Sequence, residues 1–182
     1  MRQAFLDGMS RAAWMVSVVT TDGPAGRAGL TVSAVSTLSA DSPKPSLLVC
    51  VKDSNASTEV LHRNGVFCVN LLCDDQKYIS DVFAGRTAAE DKFATGTWTT
   101  LATGSPVLKD ALAVFDCSLE NAVRHGTHWV LIGGLEAVAM PRGDASPLVH
   151  ARRSYGRFVP FDTEPATAQP ASAAPAAKAL GS

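Results

Sequence analysis

Short runs of strand-forming residues, separated by turn residues, recur along most of the chain and constrain its fold more than any other feature. These runs are rich in Val, Thr, Leu and aromatic residues, which favour strands. They cover residues 14–21, 28–36, 46–52, 66–72, 112–120, 127–140 and 147–150. The runs at 46–52 and 66–72 are continuously apolar, which indicates strands buried on both faces. Many short strands with few helices predict a mainly β protein, either a barrel or a sandwich.

Residues typical of turns and helices lie between these runs and predict how the runs are connected. Asp22-Gly23-Pro24 lies in the link between the first two runs, so those runs are predicted to form a hairpin. Helices are predicted at 3–13, 55–64 and 75–84, where apolar residues share one face. Gly133-Gly134 interrupts the longest run and predicts a bulge or a sharp bend there.

The composition changes abruptly near the end of the chain. From Thr163 the sequence reads TEPATAQPASAAPAAKALGS, which is rich in Ala, Pro and Ser. Such a segment buries too little apolar surface to offset the entropy lost on ordering, so we predict a flexible tail at 162–182. The remainder, 1–161, is predicted to form one domain, for which the 46% of hydrophobic residues supply a core.

Charge and hydropathy exclude two classes of partner. Lys and Arg number 16 against 17 Asp and Glu, whereas a nucleic-acid-binding domain is normally basic. No apolar run approaches the roughly 20 residues that span a bilayer, and Met1–Phe5 lacks the apolar core of a secretory signal. We therefore expect a cytoplasmic protein with neither nucleic acid nor a membrane as its partner.

Cysteine and histidine usage predicts no metal site. The cysteines are Cys50, Cys68, Cys73 and Cys117. None forms a C-x-x-C pair and three lie inside apolar runs, so buried free thiols in a reducing compartment are expected. His125 and His128 lie three residues apart without an accompanying carboxylate or thiol, and on a strand they would face opposite sides.

One segment carries a row of hydroxyls that could bind a cofactor, although the Gly-rich nucleotide-binding motifs and the G-x-S-x-G motif are absent. The hydroxyls within 29–39 belong to Thr31, Ser33, Ser36, Thr37 and Ser39. Together with backbone amides they could hydrogen-bond a ring system or a ribityl chain. An edge strand with its polar face in water explains the same residues equally simply.

Two further segments could contact phosphate groups. Lys52 precedes a run of small polar residues at 53–58 that enters a predicted helix, and amides and cations at a helix start attract anions. An ordinary N-cap is the alternative there. Arg152, Arg153 and Tyr155 could clamp a phosphate and stack on a base, or they could form a solvated terminal segment.

His128 stands at the start of a predicted strand and follows Gly126-Thr127. A histidine in this position could line a binding pocket, because its charge changes near neutral pH and it can donate or accept a proton. The alternative is a structural histidine whose ring nitrogens are satisfied by neighbouring groups.

Taken together and in this order, these segments resemble the flavin reductase-like family, the small reductase components of two-component flavin monooxygenases. The matching stretches are FLDGMSRAAWMVSVVTTDGPAGRAGLTVSAVSTLS, SLLVCV, NGVFCVNLL, Gln76, Phe83-Ala84-Gly85, Lys92-Phe93, Gly104-x-Pro106-x-Leu108, FDC at 115–117, GTH at 126–128 and PLVHARRSY at 147–155. The likeness covers about residues 4–158, nearly the whole predicted domain.

The resemblance implies a fold, an activity and a set of site residues. The fold is the FMN-binding split barrel, a Greek-key β-barrel with a few short helices, which works as a homodimer. The activity is reduction of free FMN or FAD by NADH, after which the reduced flavin diffuses to a partner monooxygenase. The implied flavin-binding residues are Thr31, Ser33, Ala34, Ser36, Thr37, Lys52, Ser54, Asn55, Ser57 and Phe83. Arg153 and Tyr155 are expected near the nicotinamide nucleotide, with His128 as its catalytic contact or proton donor.

Two other functions share the same barrel. A flavin store or sensor without turnover needs no nicotinamide site, so NADH would not reduce the flavin that it holds. An oxidase of the pyridoxamine-phosphate kind needs additional basic residues for a second phosphate, and the sequence has few of these.

Overall fold

A computed structural model describes residues 1–161, so the predicted tail at 162–182 lies outside the described residues. The helices are α1 (Arg2–Met9), α2 (Ala56–Asn64) and α3 (Lys77–Phe83). The strands are β1 (Trp14–Met15), β2 (Ser17–Thr21), β3 (Ala28–Val32), β4 (Val35–Ser39), β5 (Ser46–Lys52), β6 (Val66–Leu71), β7 (Trp98–Thr100), β8 (Pro106–Leu108), β9 (Ala113–His125), β10 (His128–Ala139), β11 (Leu148–Ala151) and β12 (Ser154–Arg157).

The main sheet has seven antiparallel strands in the order β3-β2-β6-β9-β10-β5-β4. Strands β3 and β4 follow each other in the chain, yet they lie at opposite ends of this order. Only Ser33 and Ala34 separate the end of β3 from the start of β4. The sheet therefore curls until its two edges adjoin, which confirms the predicted mainly β fold and selects the barrel over the sandwich.

The prediction of a single strand at 28–36 is wrong. Strand β3 ends at Val32 and β4 begins at Val35, with a bend at Ser33 and Ala34. Because β3 pairs with β2 whereas β4 pairs with β5, the chain must turn to pass from one sheet edge to the other. The hydroxyls of this stretch therefore do not share one strand face. The hairpin of β2 with β3 is confirmed.

A second, smaller sheet closes one side of the barrel. It has the order β1-β11-β12, and β7 pairs separately with β8. The predicted strand at 14–21 is interrupted at Val16, whose N–H donates to the carbonyl of Leu148 at 3.0 Å. Within residues 1–161, no helix is long and apolar enough to cross a membrane.

The strands separate two apolar cores, because successive residues on a strand point to opposite faces. The barrel core contains Val19, Leu30, Val49, Phe67 and Leu131, and α2 contributes Leu61. The outer core contains Val18, Leu72, Val82, Phe83, Leu108 and Leu148 beneath α3. Burial of each such large side chain contributes about 1.5–3 kcal/mol to stability before entropy is counted.

A bulge at Gly133 lets the long β10 strand fit against the barrel core. The pairing of β10 with β9 shifts register between Ile132 and Gly133, which confirms the predicted irregularity. A Cβ at Gly133 would lie 2.4 Å from Cζ of Phe67, a buried ring of the barrel core. The missing side chain therefore makes room for Phe67.

The four cysteines are free thiols, as predicted. Cys68, Cys73 and Cys117 are buried, and Cys50 is half-buried. Burial raises the pKa of Cys117 to about 12, and burial also raises that of Cys68 well above its ordinary value. These thiols therefore stay protonated near neutral pH.

Candidate functional site

The outward face of β3 carries the residues around which the candidate site is built. Leu30 and Val32 point into the barrel core, so Gly29 and Thr31 face the other way, towards α3. The hydroxyl of Thr31 donates to the carbonyl of Ser80 on α3 at 2.7 Å. A Cβ at Gly29 would lie 2.7 Å from Cε1 of Phe83. Helix α3 therefore packs directly on this face, and a cleft opens at each end of it.

The cleft beyond Thr31, here called the ring cleft, has a volume of about 160 Å³. Its polar lining comes from Thr31, Ser33, Ser80, Arg86, His150 and Tyr155. It thus unites two predicted flavin-binding residues with the predicted nucleotide residue Tyr155. The His150 and Tyr155 rings meet edge to face, with centroids 5.4 Å apart.

A hydrogen-bond network centred on Tyr155 fixes one wall of the ring cleft. The Tyr155 hydroxyl lies 2.8 Å from Ser80 Oγ, accepts from Arg86 Nη1 at 2.8 Å and donates to Asp81 Oδ1 at 3.1 Å. Lys77 donates to the same carboxylate at 2.7 Å. The Lys77 bond, with those from Tyr155 and Arg86, holds the pKa of Asp81 below its ordinary 3.8, so the network is charged at neutral pH.

The cleft at the other end of β3, here called the α2 cleft, has a volume of about 340 Å³. Its lining includes Arg27, Gly29, Ser57, Lys92, Phe93 and two acidic residues, Glu90 and Asp91. The Ser57 hydroxyl donates to the carbonyl of Gly29 at 3.0 Å, which ties α2 to β3. Asp91 is engaged as a cap on the Phe93 N–H at 2.8 Å. Arg27 forms an ion pair with Asp22 at 2.8 Å and Lys92 donates to the Phe83 carbonyl at 3.5 Å, so these two cations must exchange those partners to bind a phosphate.

The start of α2 has the geometry of a capped helix. The Asn55 side chain accepts from the Ser57 N–H at 3.0 Å, so the N-cap alternative describes Asn55 correctly. The Lys52 carbonyl accepts from the Thr58 hydroxyl at 2.8 Å, while the Lys52 side chain and Ser54 are exposed. The polar groups at 52–57 therefore combine a structural cap with groups that are open to a ligand.

His128 lies beside the α2 region and lines neither cleft. In the pairing of β10 with β5, His128 stands directly opposite Lys52. Its Nδ1 lies 3.1 Å from the Thr127 hydroxyl, and the residue is exposed. The structure therefore brings the predicted catalytic histidine next to a predicted flavin-binding lysine, whereas Tyr155 lies in the ring cleft.

Ser36 and Thr37 line a third depression, the apolar groove, with a volume of about 350 Å³. Its apolar lining includes Met15, Val35, Leu47, Leu71, Phe115 and Leu135. Ser17 also lines it, and its buried Oγ has no hydrogen-bond partner within residues 1–161. The bend at Ser33 and Ala34 therefore divides the predicted row of hydroxyls between two different surfaces.

The two remaining predicted residues lie apart from these groups. Phe83 is 1% exposed and packs against Phe93 and Trp98, so it supports Gly29 from the outer core. Arg153 is exposed and forms an ion pair with Asp7 at 2.7 Å, in a separate cleft.

The sequence interpretation did not single out several cleft residues as ligand contacts. These residues are Arg27, Ser80, Arg86, Lys92 and His150. Arg27, Lys92 and His150 lie inside the stretches that carry the family resemblance, which was the available signal. These residues come together in clefts only through contacts between segments far apart in the chain, and a local sequence pattern does not predict such contacts.

Comparison with known proteins identifies the family. The flavin reductase like domain matches residues 9–158. The chain belongs to the flavin reductase-like family. Among the similar proteins of this family is "FMN reductase (NADH) RutF" of Ancylobacter novellus, 43% identical over 152 residues that cover 84% of this chain and 83% of the relative. The protein of the same name from Agrobacterium fabrum is 42% identical over 149 residues, covering 82% and 84%.

Solved structures of flavin reductases share the fold of this family member. The styrene monooxygenase flavin reductase of Pseudomonas putida S12 superposes with a TM-score of 0.76 at 28% identity, covering 86% of this chain and 99% of that one. BorF, the flavin reductase component of a bacterial two-component tryptophan halogenase, gives 0.78 at 28% identity, covering 87% and 98%. The predicted split-barrel fold and the family resemblance are both confirmed.

Proposed function

We propose that this flavin reductase-like protein reduces FMN or FAD with NADH and releases the reduced flavin to a separate flavin-dependent monooxygenase. The activity itself is that of its relatives, which are named NADH-dependent FMN reductases. Delivery to a second enzyme is supported by the similar structures, because these are reductase components of two-component systems.

The observation that carries the proposal is the pair of clefts at the two ends of the outward face of β3. Gly29 borders the α2 cleft and Ser33 borders the ring cleft. Three residues of extended chain lie between Gly29 and Ser33, so the two positions are four residue steps or about 13 Å apart. Arg27, Lys92 and Ser57 stand at one end together with Glu90 and Asp91, while hydroxyls, aromatic rings and Arg86 stand at the other. In our proposal a phosphate lies at the first end and a flat ring at the second, and the ribityl chain passes beside α3, which covers Gly29 and Thr31 in between.

The residues fit a flavin by the chemistry of their donors. In our proposal Arg27, Ser57 and Lys92 hold the phosphate, with the Lys52, Ser54 and Asn55 turn beside them. The other proposed flavin contacts are Thr31, Ser33, Ala34, Ser36 and Thr37, along the ring and ribityl chain. Phe83 packs against the outward side of Gly29 and is buried, so it shapes the site by packing.

The protein has little covalent chemistry to perform. When bound, the flavin accepts a hydride from the nicotinamide ring, so both reacting atoms belong to the cofactors. The chain holds the two rings together, excludes water and offers hydrogen-bond donors to the negative charge that develops. In our proposal His128 contacts the nicotinamide or donates a proton, and Arg153 and Tyr155 contact the nicotinamide nucleotide.

A homodimer is part of the proposal. The apolar groove contains Met15, Val35 and Phe115 on an open side of the barrel, and a second copy is the occupant that we propose for it. Ser36 and Thr37 line the same groove, so a second copy there would complete the surroundings of the flavin. The unpartnered hydroxyl of Ser17 would then face the interface.

The decisive experiment follows NADH absorbance with the purified protein in air, first with added FMN and then with FAD. Rapid loss of NADH that requires added flavin is the expected result, and the two rates rank the flavins. If flavin binds in a fluorescence titration but NADH is not consumed, the protein is a flavin store or sensor and the reductase proposal is wrong.

A further inference from the structure

A cleft lined by three arginines lies between the end of α1 and the β11–β12 turn. This arginine cleft has a volume of about 380 Å³. It is lined by Asp7, Ser10, Arg11, Arg152 and Arg153. The ring cleft, the α2 cleft and the apolar groove include none of these residues, and Arg152 and Arg153 are the two that the sequence offered as phosphate contacts.

The turn between β11 and β12 holds two of the arginines in an unusual backbone conformation. Ala151 pairs with Ser154, so Arg152 and Arg153 form a two-residue hairpin turn. Their φ angles are 51° and 62°, both in the left-handed region. Turns of this kind favour Asn-Gly, because side chains with a Cβ rarely adopt that region. The Arg152 N–H donates to the Ser10 carbonyl at 2.6 Å, which anchors the turn to α1.

The cleft carries more positive charge than its own carboxylate neutralises. Arg153 donates to Asp7 at 2.7 Å, and Gln3 donates to the same carboxylate at 3.1 Å. The bonds from Gln3 and Arg153 lower the pKa of Asp7, so this carboxylate is ionised at neutral pH. The guanidinium groups of Arg11 and Arg152 have no ion-pair or hydrogen-bond partner within residues 1–161. Two of the three positive charges are therefore uncompensated.

The β11–β12 hairpin connects this charge to the ring cleft. His150 and Tyr155 line the ring cleft and pair with each other across the hairpin. The turn begins two residues beyond His150, a distance of about 7 Å along the strand. A ligand with a flat ring in the ring cleft could therefore extend along the hairpin and present an anion to the arginines.

We propose that the arginine cleft binds the pyrophosphate of the nicotinamide dinucleotide. The assignment rests on the proposed function, because it requires NADH as the substrate at the ring cleft. Guanidinium groups bind phosphate oxygens in bidentate fashion, and two uncompensated positive charges match the two negative charges of a pyrophosphate. The exposed pair of Arg153 with Asp7 holds that arginine at the cleft and is weak enough to yield to a phosphate.

The test replaces the turn by the pair of residues that its backbone favours. The variant Arg152→Asn/Arg153→Gly removes both charges and suits a turn with two positive φ angles, so its melting temperature should equal or exceed that of the wild type. Its KM for NADH should rise about tenfold or more. Its KM for N-benzyl-dihydronicotinamide, a hydride donor without phosphate, should stay within about twofold of the wild type.

Arg63→Gln is the matched control, because Arg63 is an exposed arginine on α2 that lies outside these clefts. It should leave both KM values unchanged. An unchanged KM for NADH in the turn variant would overturn the assignment, as would an equal rise for the phosphate-free donor. A rise confined to NADPH would overturn it in favour of the 2′-phosphate. A wild-type protein that oxidises neither donor would instead refute the proposed function itself.

Discussion

Gly29 is the residue at which the candidate site and the outer core meet. Its outward side is occupied by the ring of Phe83, which is locked between Phe93 and Trp98. Its carbonyl holds the Ser57 hydroxyl of the α2 cleft. The glycine is therefore needed for the close approach of α3 to β3.

Replacing Gly29 by alanine should test this close approach. The new Cβ would lie 2.7 Å from Cε1 of Phe83, so Gly29→Ala should lower the free energy of unfolding by about 1–3 kcal/mol. Gly8→Ala in α1 is the control, since no atom lies within 4 Å of the position of its Cβ. Urea denaturation of the two variants measures the difference, and equal stabilities would contradict the packing argument.

Asp81 should make stability depend on pH in acid. Because its folded pKa lies below 3.8, its ionised bonds stabilise the fold above that pH and are lost as the pH falls through the folded pKa. Asp81→Asn should cost about 1 kcal/mol near neutral pH. The cost should stay constant down to about pH 5 and shrink as the pH falls below about 4. Denaturant titrations of both proteins across this range provide the measurement.

The role of His128 is open to a direct kinetic test. If this histidine contacts the nicotinamide or donates a proton, His128→Asn should lower kcat at least about tenfold with little change in the KM for FMN. His125→Asn is the control, since His125 pairs with His128 across the hairpin. A raised KM for FMN with an unchanged kcat would instead assign His128 to the phosphate end, beside Lys52.

At the scale of elements, strands and the helices that pack on them form different parts of the candidate site. Strand β3 supplies the surface, α2 closes one end of it and α3 covers its middle. The bend at Ser33 and Ala34 then carries the chain to β4 and the apolar groove. The extent of β5 was readable from its residues, since it occupies the predicted range 46–52, whereas the short strands β7, β8 and β12 were not predicted. The break within 28–36 was not readable from the residues, because it depends on which strands pair with each other.

The α2 cleft should recognise a phosphate and no other part of the flavin. Lys92→Gln removes one of its two cations, so the Kd for FMN should rise about five- to tenfold. Riboflavin, which lacks the phosphate, should bind both proteins equally. Fluorescence titration measures both constants, and Lys109→Gln is a control outside the cleft. A parallel loss of riboflavin affinity would show that Lys92 acts on the ring or on the fold.

For the whole molecule, closure of the curled sheet creates both the barrel core and an open apolar side. Leu47 and Leu71 lie between the core and the groove, and Met15 is exposed at its rim. A groove of this composition is typical of a protein interface. The proposed homodimer is therefore a property of the whole molecule and not of a single residue.

A charge at the rim of the groove should separate the proposed dimer. Met15→Glu should convert a dimeric protein into a monomer, with an unchanged circular dichroism spectrum because the side chain is already 42% exposed. Tyr78→Glu, on the exposed side of α3, should leave the dimer intact. Sedimentation equilibrium measures the masses. A wild-type protein that is monomeric at all concentrations would refute this part of the proposal.

The sequence by itself indicated the longer strands and the three helices, because side-chain shape and apolar spacing act locally, but it missed the short strands β7, β8 and β12. Its motifs also identified the family, through the order of short stretches along the chain. Only the tertiary structure decided that Thr31 and Thr37 face different depressions, that His128 stands opposite Lys52, and that three arginines share a cleft. These relations arise from strand register and sheet curvature, which depend on the summed contacts of residues far apart in the chain.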